Sequence, residues 1–150
     1  MMYRYWRKLF GDRTGSVAVE FALIVPVLIF VLQGIVVAAI ALNKYVMLTD
    51  AVRVGVRELA MSRGVGTTPK TNVLSKIYAS APTLTQANFV VTIKIDGTAC
   101  STDAGCVTAL NAAQGKPAQV IATYPCNLKV LNYDFFVACT LTSQTTEYVQ

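Results

Sequence analysis

Residues 20–42 read EFALIVPVLIFVLQGIVVAAIAL, and the fold turns on what surrounds this run. From Phe21 to Leu42 there are 22 positions without a charge, interrupted only by Pro26, Gln33 and Gly34. About 20 apolar residues carry an α-helix across a bilayer. The run therefore predicts a transmembrane helix over 21–42. Composition agrees. Apolar residues make up 54% and charged residues 14% of the chain, where ordinary soluble domains carry about 25% charged residues. One detail resists the simple reading: a carboxylate, Glu20, stands at the mouth of the apolar run.

Working outward toward the N-terminus, residues 1–15 form a leader without periodicity. Arg4, Arg7, Lys8 and Arg13 oppose Asp12, so the leader holds +3 of the chain's net +5. A basic flank marks the cytoplasmic side of a membrane segment. Tyr3, Tyr5, Trp6 and Phe10 suit an interface. The leader is then cytoplasmic, and everything after residue 42 is extracytoplasmic. So short a basic stretch against a bilayer offers no nucleic-acid surface, and no nucleic-acid partner is expected.

Working outward in the other direction, the helix continues. Tyr45, Leu48, Val52, Val56 and Leu59 recur at three- and four-residue steps, the mark of one apolar face. Asp50, Arg53 and Arg57 lie on another, where Asp50 and Arg53 can pair. Gly64, Gly66 and Pro69 end the helix near Ser62. One helix over 16–62 is expected, with a membrane part at 21–42 and an extension at 43–62, roughly 70 Å long at 1.5 Å per residue.

Residues 63–150 read as an α+β head. Asn72 to Ala79 suggests a short helix before Pro82. NFVVTIKIDG, 88–97, alternates: Phe89, Val91, Ile93 and Ile95 on one side, Val90, Thr92 and Lys94 on the other, with Asp96-Gly97 as a turn. AQVIATY, 118–124, is a second strand, and 135–149 a third that one break would divide. A three- to four-stranded antiparallel sheet, covered by the helix extension, is the expected architecture.

The four cysteines, Cys100, Cys106, Cys126 and Cys139, all lie in the outer part. An even number in an exported domain reads as two disulfides. Three pairings are open. Short loops close most readily, which favours Cys100–Cys106 with Cys126–Cys139. The chain has no histidine, so no His-ligated metal or His base exists. Asp96, Asp103, Asp134 and Glu147 are scattered singly. RGVGTTPK, 63–70, lacks phosphate-loop spacing. Neither an enzyme, a metal nor a cofactor is indicated.

Three readings compete for RTGSVAVEFALIVPVL, residues 13–28. A plain single-pass anchor makes Glu20 incidental, tolerated because a helix N-terminus favours an anion. A secretory signal would be cut after Ala39-Ile40-Ala41, but its apolar core normally spans about 7 to 15 residues. A prepilin leader would be cut between Gly15 and Ser16, before the apolar helix. That cut removes the leader's charge and leaves one α-ammonium on Ser16. Glu20 and a neighbour's Ser16 ammonium, each costly alone among apolar helices, could then satisfy one another and set the register of a stack.

GSVAVEFALIVPVL, 15–28, resembles the N-terminus of TadE-like proteins, pilin-like components of tight adherence (Tad, type IVc) pilus systems. The shared features are Gly15, Glu20-Phe21, the aliphatic stretch and Pro26. AVRVGVRELA, 51–60, is similar to the family's Arg-x-Gly-x-Arg segment. The resemblance spans about 13–62; TadE and TadF classes are not separable on it. It implies a pilin-like α+β fold and processing at Gly15–Ser16 by a prepilin peptidase. Glu20 and Phe21 would serve recognition and assembly. The product would be a minor pilin or pseudopilin in a bacterial inner membrane with a periplasmic head, contributing to pilus assembly, adhesion and surface colonisation. Its partners would be other Tad pilins and minor pilins, the inner-membrane assembly platform and membrane lipid. The alternative is a membrane-anchored extracytoplasmic binding module.

Overall fold

The computed structural model describes the backbone of residues 14–126, 129–130, 133–134 and 139–150, with side chains for all but 14–16, 129–130 and 133–134. The leader up to residue 13, and positions 135–138 of the expected third strand, lie outside the described residues. The described chain divides into two compact units, the first ending at Ala39 and the second comprising Ile40–Gln150.

Helix α1, Thr14–Met61, runs through both. Its middle is rich in Val, Ile, Leu and Ala and holds Pro26 within it. A proline there removes one backbone donor from the helix. In the first unit the side chains from Val17 onward are overwhelmingly exposed, and α1 is long and apolar enough to cross a membrane.

In the second unit the same helix changes character. Leu48, Ala51, Val52, Val56 and Leu59 are almost fully buried, at the steps the sequence pattern predicts. Tyr45, assigned to that face from sequence, is 43% exposed instead. It precedes the first buried turn. Asp50 and Arg53 pair at 3.6 Å on the exposed side. Ser62 ends the helix: its hydroxyl donates to the Glu58 carbonyl and its amide to Leu59.

After a loop comes α2, Pro69–Ser80. It starts three residues before the expected helix. Pro69 stops the preceding helix and also opens the next one, where its missing N–H costs nothing. Strand β1, Val90–Ile95, turns through Asp96-Gly97 into β2, Thr98–Cys100. Both turn residues have positive φ, 48° and 78°, the geometry of a two-residue hairpin that Asp-Gly favours. Helix α3, Asp103–Ala112, follows, then β3, Pro117–Pro125. A small antiparallel pair, β4 (Lys129–Val130) and β5 (Tyr133–Asp134), precedes β6, Thr140–Tyr148.

The main sheet has the order β2-β1-β3-β6 and is antiparallel throughout. Its register sets Ile93 beside Val120 and Ile95 beside Ala118. These side chains join the buried face of α1 with Val73 and Ile77 of α2 and Leu110 of α3 in one core. Phe89 makes edge contacts with Tyr78 and Tyr124, at 5.6 and 5.3 Å between ring centres. The result is a long apolar helix followed by a small α+β unit with a four-stranded antiparallel sheet.

Candidate functional site

Gly15 and Ser16 lie in the first turn of α1. Glu20 follows Ser16 by four positions, so the two lie one turn apart on one side of the helix. Phe21, adjacent to Glu20, is 68% exposed. Among the described residues no cation pairs with Glu20. Beyond it, Leu23, Ile24, Val27, Leu28, Phe30 and Leu32 are all half exposed or more. Within this surface the Gln33 side-chain oxygen is shielded by its surroundings and accepts no hydrogen bond among the described residues. A surface of this size and apolarity needs lipid or other helices around it.

The second block, Arg53-Val54-Gly55-Val56-Arg57, belongs to the other unit, and its three motif residues divide by role. Both arginines are exposed. Gly55 is buried, and a Cβ on it would stand 2.6 Å from Ile77 Cγ1 and 2.8 Å from Ile77 Cδ1. The glycine is what lets α2 approach α1 this closely. Glycine in a helix interior costs about 1 kcal/mol relative to alanine, so it persists where contact repays it. The sequence carries a signal for this, since Gly55 falls among Val52, Val56 and Leu59 on the apolar face, but the partner Ile77 emerges only in the fold.

In the head, Cys100 pairs with Cys106 and Cys126 with Cys139, with Cα separations of 5.2 and 5.4 Å. The first bridge ties β2 to α3. Next to it sits a contact the sequence did not disclose. The Asp103 carboxylate accepts the Thr71 backbone N–H at 3.0 Å and the Thr71 hydroxyl at 2.6 Å. Thr68, the residue before α2, makes no side-chain cap of its own. Asp103 therefore caps α2 from 32 residues away while standing in the first turn of α3, where Thr102 accepts from the Gly105 amide. The Thr71 hydroxyl, then the Thr71 amide, hold the Asp103 pKa below its ordinary 3.8. Lys70, donating to the Ser101 carbonyl, completes the contact.

Among the described side chains, the remaining acidic residues do not converge. Asp96 pairs with Lys116 at 3.6 Å near the hairpin turn. Glu147 lines an open groove of about 350 Å³ with Arg57, Ala60, Met61 and Gln150. No group of three or more metal-ligating side chains occurs among the described residues. The two sequence blocks thus serve different units: Glu20 and Phe21 on an exposed apolar helix, Gly55 in the core of the head.

A family model described as TadE-like protein matches residues 15–57. The matched segment begins at Gly15, ends at Arg57 and lies wholly within α1. No curated protein and no solved structure matches the chain.

Proposed function

We propose that this chain, TadE-like over residues 15–57, is a minor pilin or pseudopilin of a Tad (type IVc) pilus assembly system. The observation that carries the reading is the coincidence of two boundaries. The matched segment opens at Gly15, and five residues later Glu20-Phe21 stands exposed at the edge of an apolar helix surface. On this reading a prepilin peptidase cuts between Gly15 and Ser16. The leader's charge leaves with it, and the new α-ammonium on Ser16 heads the helix.

The mature helix waits in the bacterial inner membrane with its head on the periplasmic side. Its lone carboxylate is the least lipid-compatible group in the segment, because a buried unpaired charge is costly. Contact with the Ser16 ammonium of a neighbouring pilin relieves that cost. The same contact defines the stagger between subunits, which is the best-attested use of a buried charge pair. The extended apolar surface then passes from lipid to the helices of other pilins and the assembly platform, in a fibre that serves adhesion and surface colonisation.

Two variants test the sequence of events. Gly15→Leu leaves the leader attached, read as intact mass of the membrane-extracted protein; a mature chain starting at Ser16 in this variant would refute the cleavage site. Glu20→Gln is still processed and inserted, but its recovery with sheared pili drops by an order of magnitude or more. Unchanged recovery would remove charge pairing from the mechanism. An uncut wild-type chain that never co-purifies with pili would favour a plain anchored binding module.

A further inference from the structure

The outermost turn of the apolar run belongs to the second unit, where Ile40 and Leu42 are exposed. Beside this turn lies a cleft of about 240 Å³ lined by Ile40, Asn43, Lys44, Met47, Thr83 and Leu84. Its wall is divided chemically. Ile40, Met47 and Leu84 supply hydrocarbon and a thioether. Asn43, Lys44 and Thr83 supply an amide, an ammonium and a hydroxyl. The Thr83 hydroxyl contacts Met47 Sδ at 2.9 Å, which holds the segment after α2 against α1. Lys44 is the first cation after Arg13 along the chain. Among the described residues no carboxylate pairs with it.

Depth and charge both bear on the occupant. From Leu42 to Met47 the helix rises about 7.5 Å at 1.5 Å per residue. The polar layer on each side of a bilayer is about 5–8 Å thick. If Leu42 marks the edge of the hydrocarbon, the cleft lies at the depth of the headgroups. Its apolar end meets acyl chain at Ile40, and its cation lies where a phosphate lies.

We propose that this cleft binds the headgroup phosphodiester of a phospholipid in the outer leaflet of the membrane that α1 spans. Lys44 faces the phosphate, the Asn43 amide offers further donors, and Ile40 lies along the first methylenes. The site fixes the lower rim of the head on the bilayer before the helix leaves it. This inference rests on the membrane-spanning reading of residues 21–42.

The test uses the full-length protein in phosphatidylglycerol nanodiscs, with bound lipid counted by native mass spectrometry. Wild type should retain phosphatidylglycerol, and Lys44→Gln should lower its apparent affinity about fivefold, the size expected for one cation at an anionic surface. Lys44→Arg should restore it. Lys76→Gln, which removes an exposed cation of α2, should leave it unchanged. Equal retention by wild type and Lys44→Gln would overturn the site, as would an equal loss in Lys76→Gln. Alkaline extraction and vesicle flotation separate the two readings. A chain that floats but binds lipid without regard to Lys44 sinks only the cleft; a chain that fails to float sinks the membrane span with it.

Discussion

Between Val17 and Ile40, α1 carries most of its aliphatic side chains in the open; between Leu48 and Ala60 it hides all of them but Val54. The two stretches of one helix are built from the same residue types. Their difference is in the polar positions between the apolar ones. Asp50, Arg53 and Arg57 interrupt the later stretch at intervals that leave one dry face. The earlier stretch has no such interruption from Phe21 to Leu42, so it has no face to turn toward water. A stripe of apolar residues finds a core within its own chain. A helix apolar on all sides must find lipid or other helices.

The largest effect tests this contrast directly. Leu48→Ala should lower the unfolding free energy of the head by about 2–5 kcal/mol, the range for a fully buried leucine. Leu32→Ala, made in the open stretch, should leave that transition in place. Thermal unfolding of the full chain in detergent micelles compares them, and an equal loss at both sites would erase the distinction between the two stretches.

A smaller effect sharpens the picture of the later stretch. Gly55→Ala inserts a methyl group against Ile77. Overpacking of this kind costs about 1–3 kcal/mol, and alanine returns about 1 kcal/mol of helix propensity, so a net loss of up to about 2 kcal/mol is expected. Combining it with Ile77→Ala should cost less than the sum of the two changes, since the added methyl occupies space that the isoleucine vacates. Strict additivity would mean that the contact at Gly55 is not what the glycine serves.

The smallest effect concerns pH. The folded Asp103 pKa lies below its ordinary 3.8. Its stabilising contribution is therefore complete above the unfolded value and disappears as the pH falls through the folded one. Asp103→Asn should reduce stability at neutral pH and flatten the decline below about pH 4, measured as midpoint temperature against pH. A variant curve parallel to wild type through that window would show that another group governs the acid limb.

What the sequence disclosed and what it hid separate along the same line. Leu48, Val52, Val56 and Leu59 were legible because helical period and burial coincide over many turns. Phe89, Ile93 and Ile95 were legible by alternation, and Asp96-Gly97 by the positive φ its turn needs. Helix α3 was missed because it is only 10 residues long and only Cys106 and Leu110 among them are buried, too few to establish a period. Strand β2 was missed because three residues cannot alternate convincingly. Of the candidate site, the Gly15 to Phe21 stretch and the Arg53-Gly55-Arg57 block were visible as patterns. The contact between Asp103 and Thr71 was not, because nothing local announces a cap supplied from 32 residues away.

The strand order β2-β1-β3-β6 leaves two rims of unequal length. At one, β2 offers three residues; at the other, β6 offers nine, and among the described residues it pairs only with β3. Natural sheets commonly blunt such a rim with lysine or proline. From Thr140 to Tyr148 this one has neither, and Glu147 is its lone charge. An edge of nine residues without such a guard is the kind on which a further strand adds.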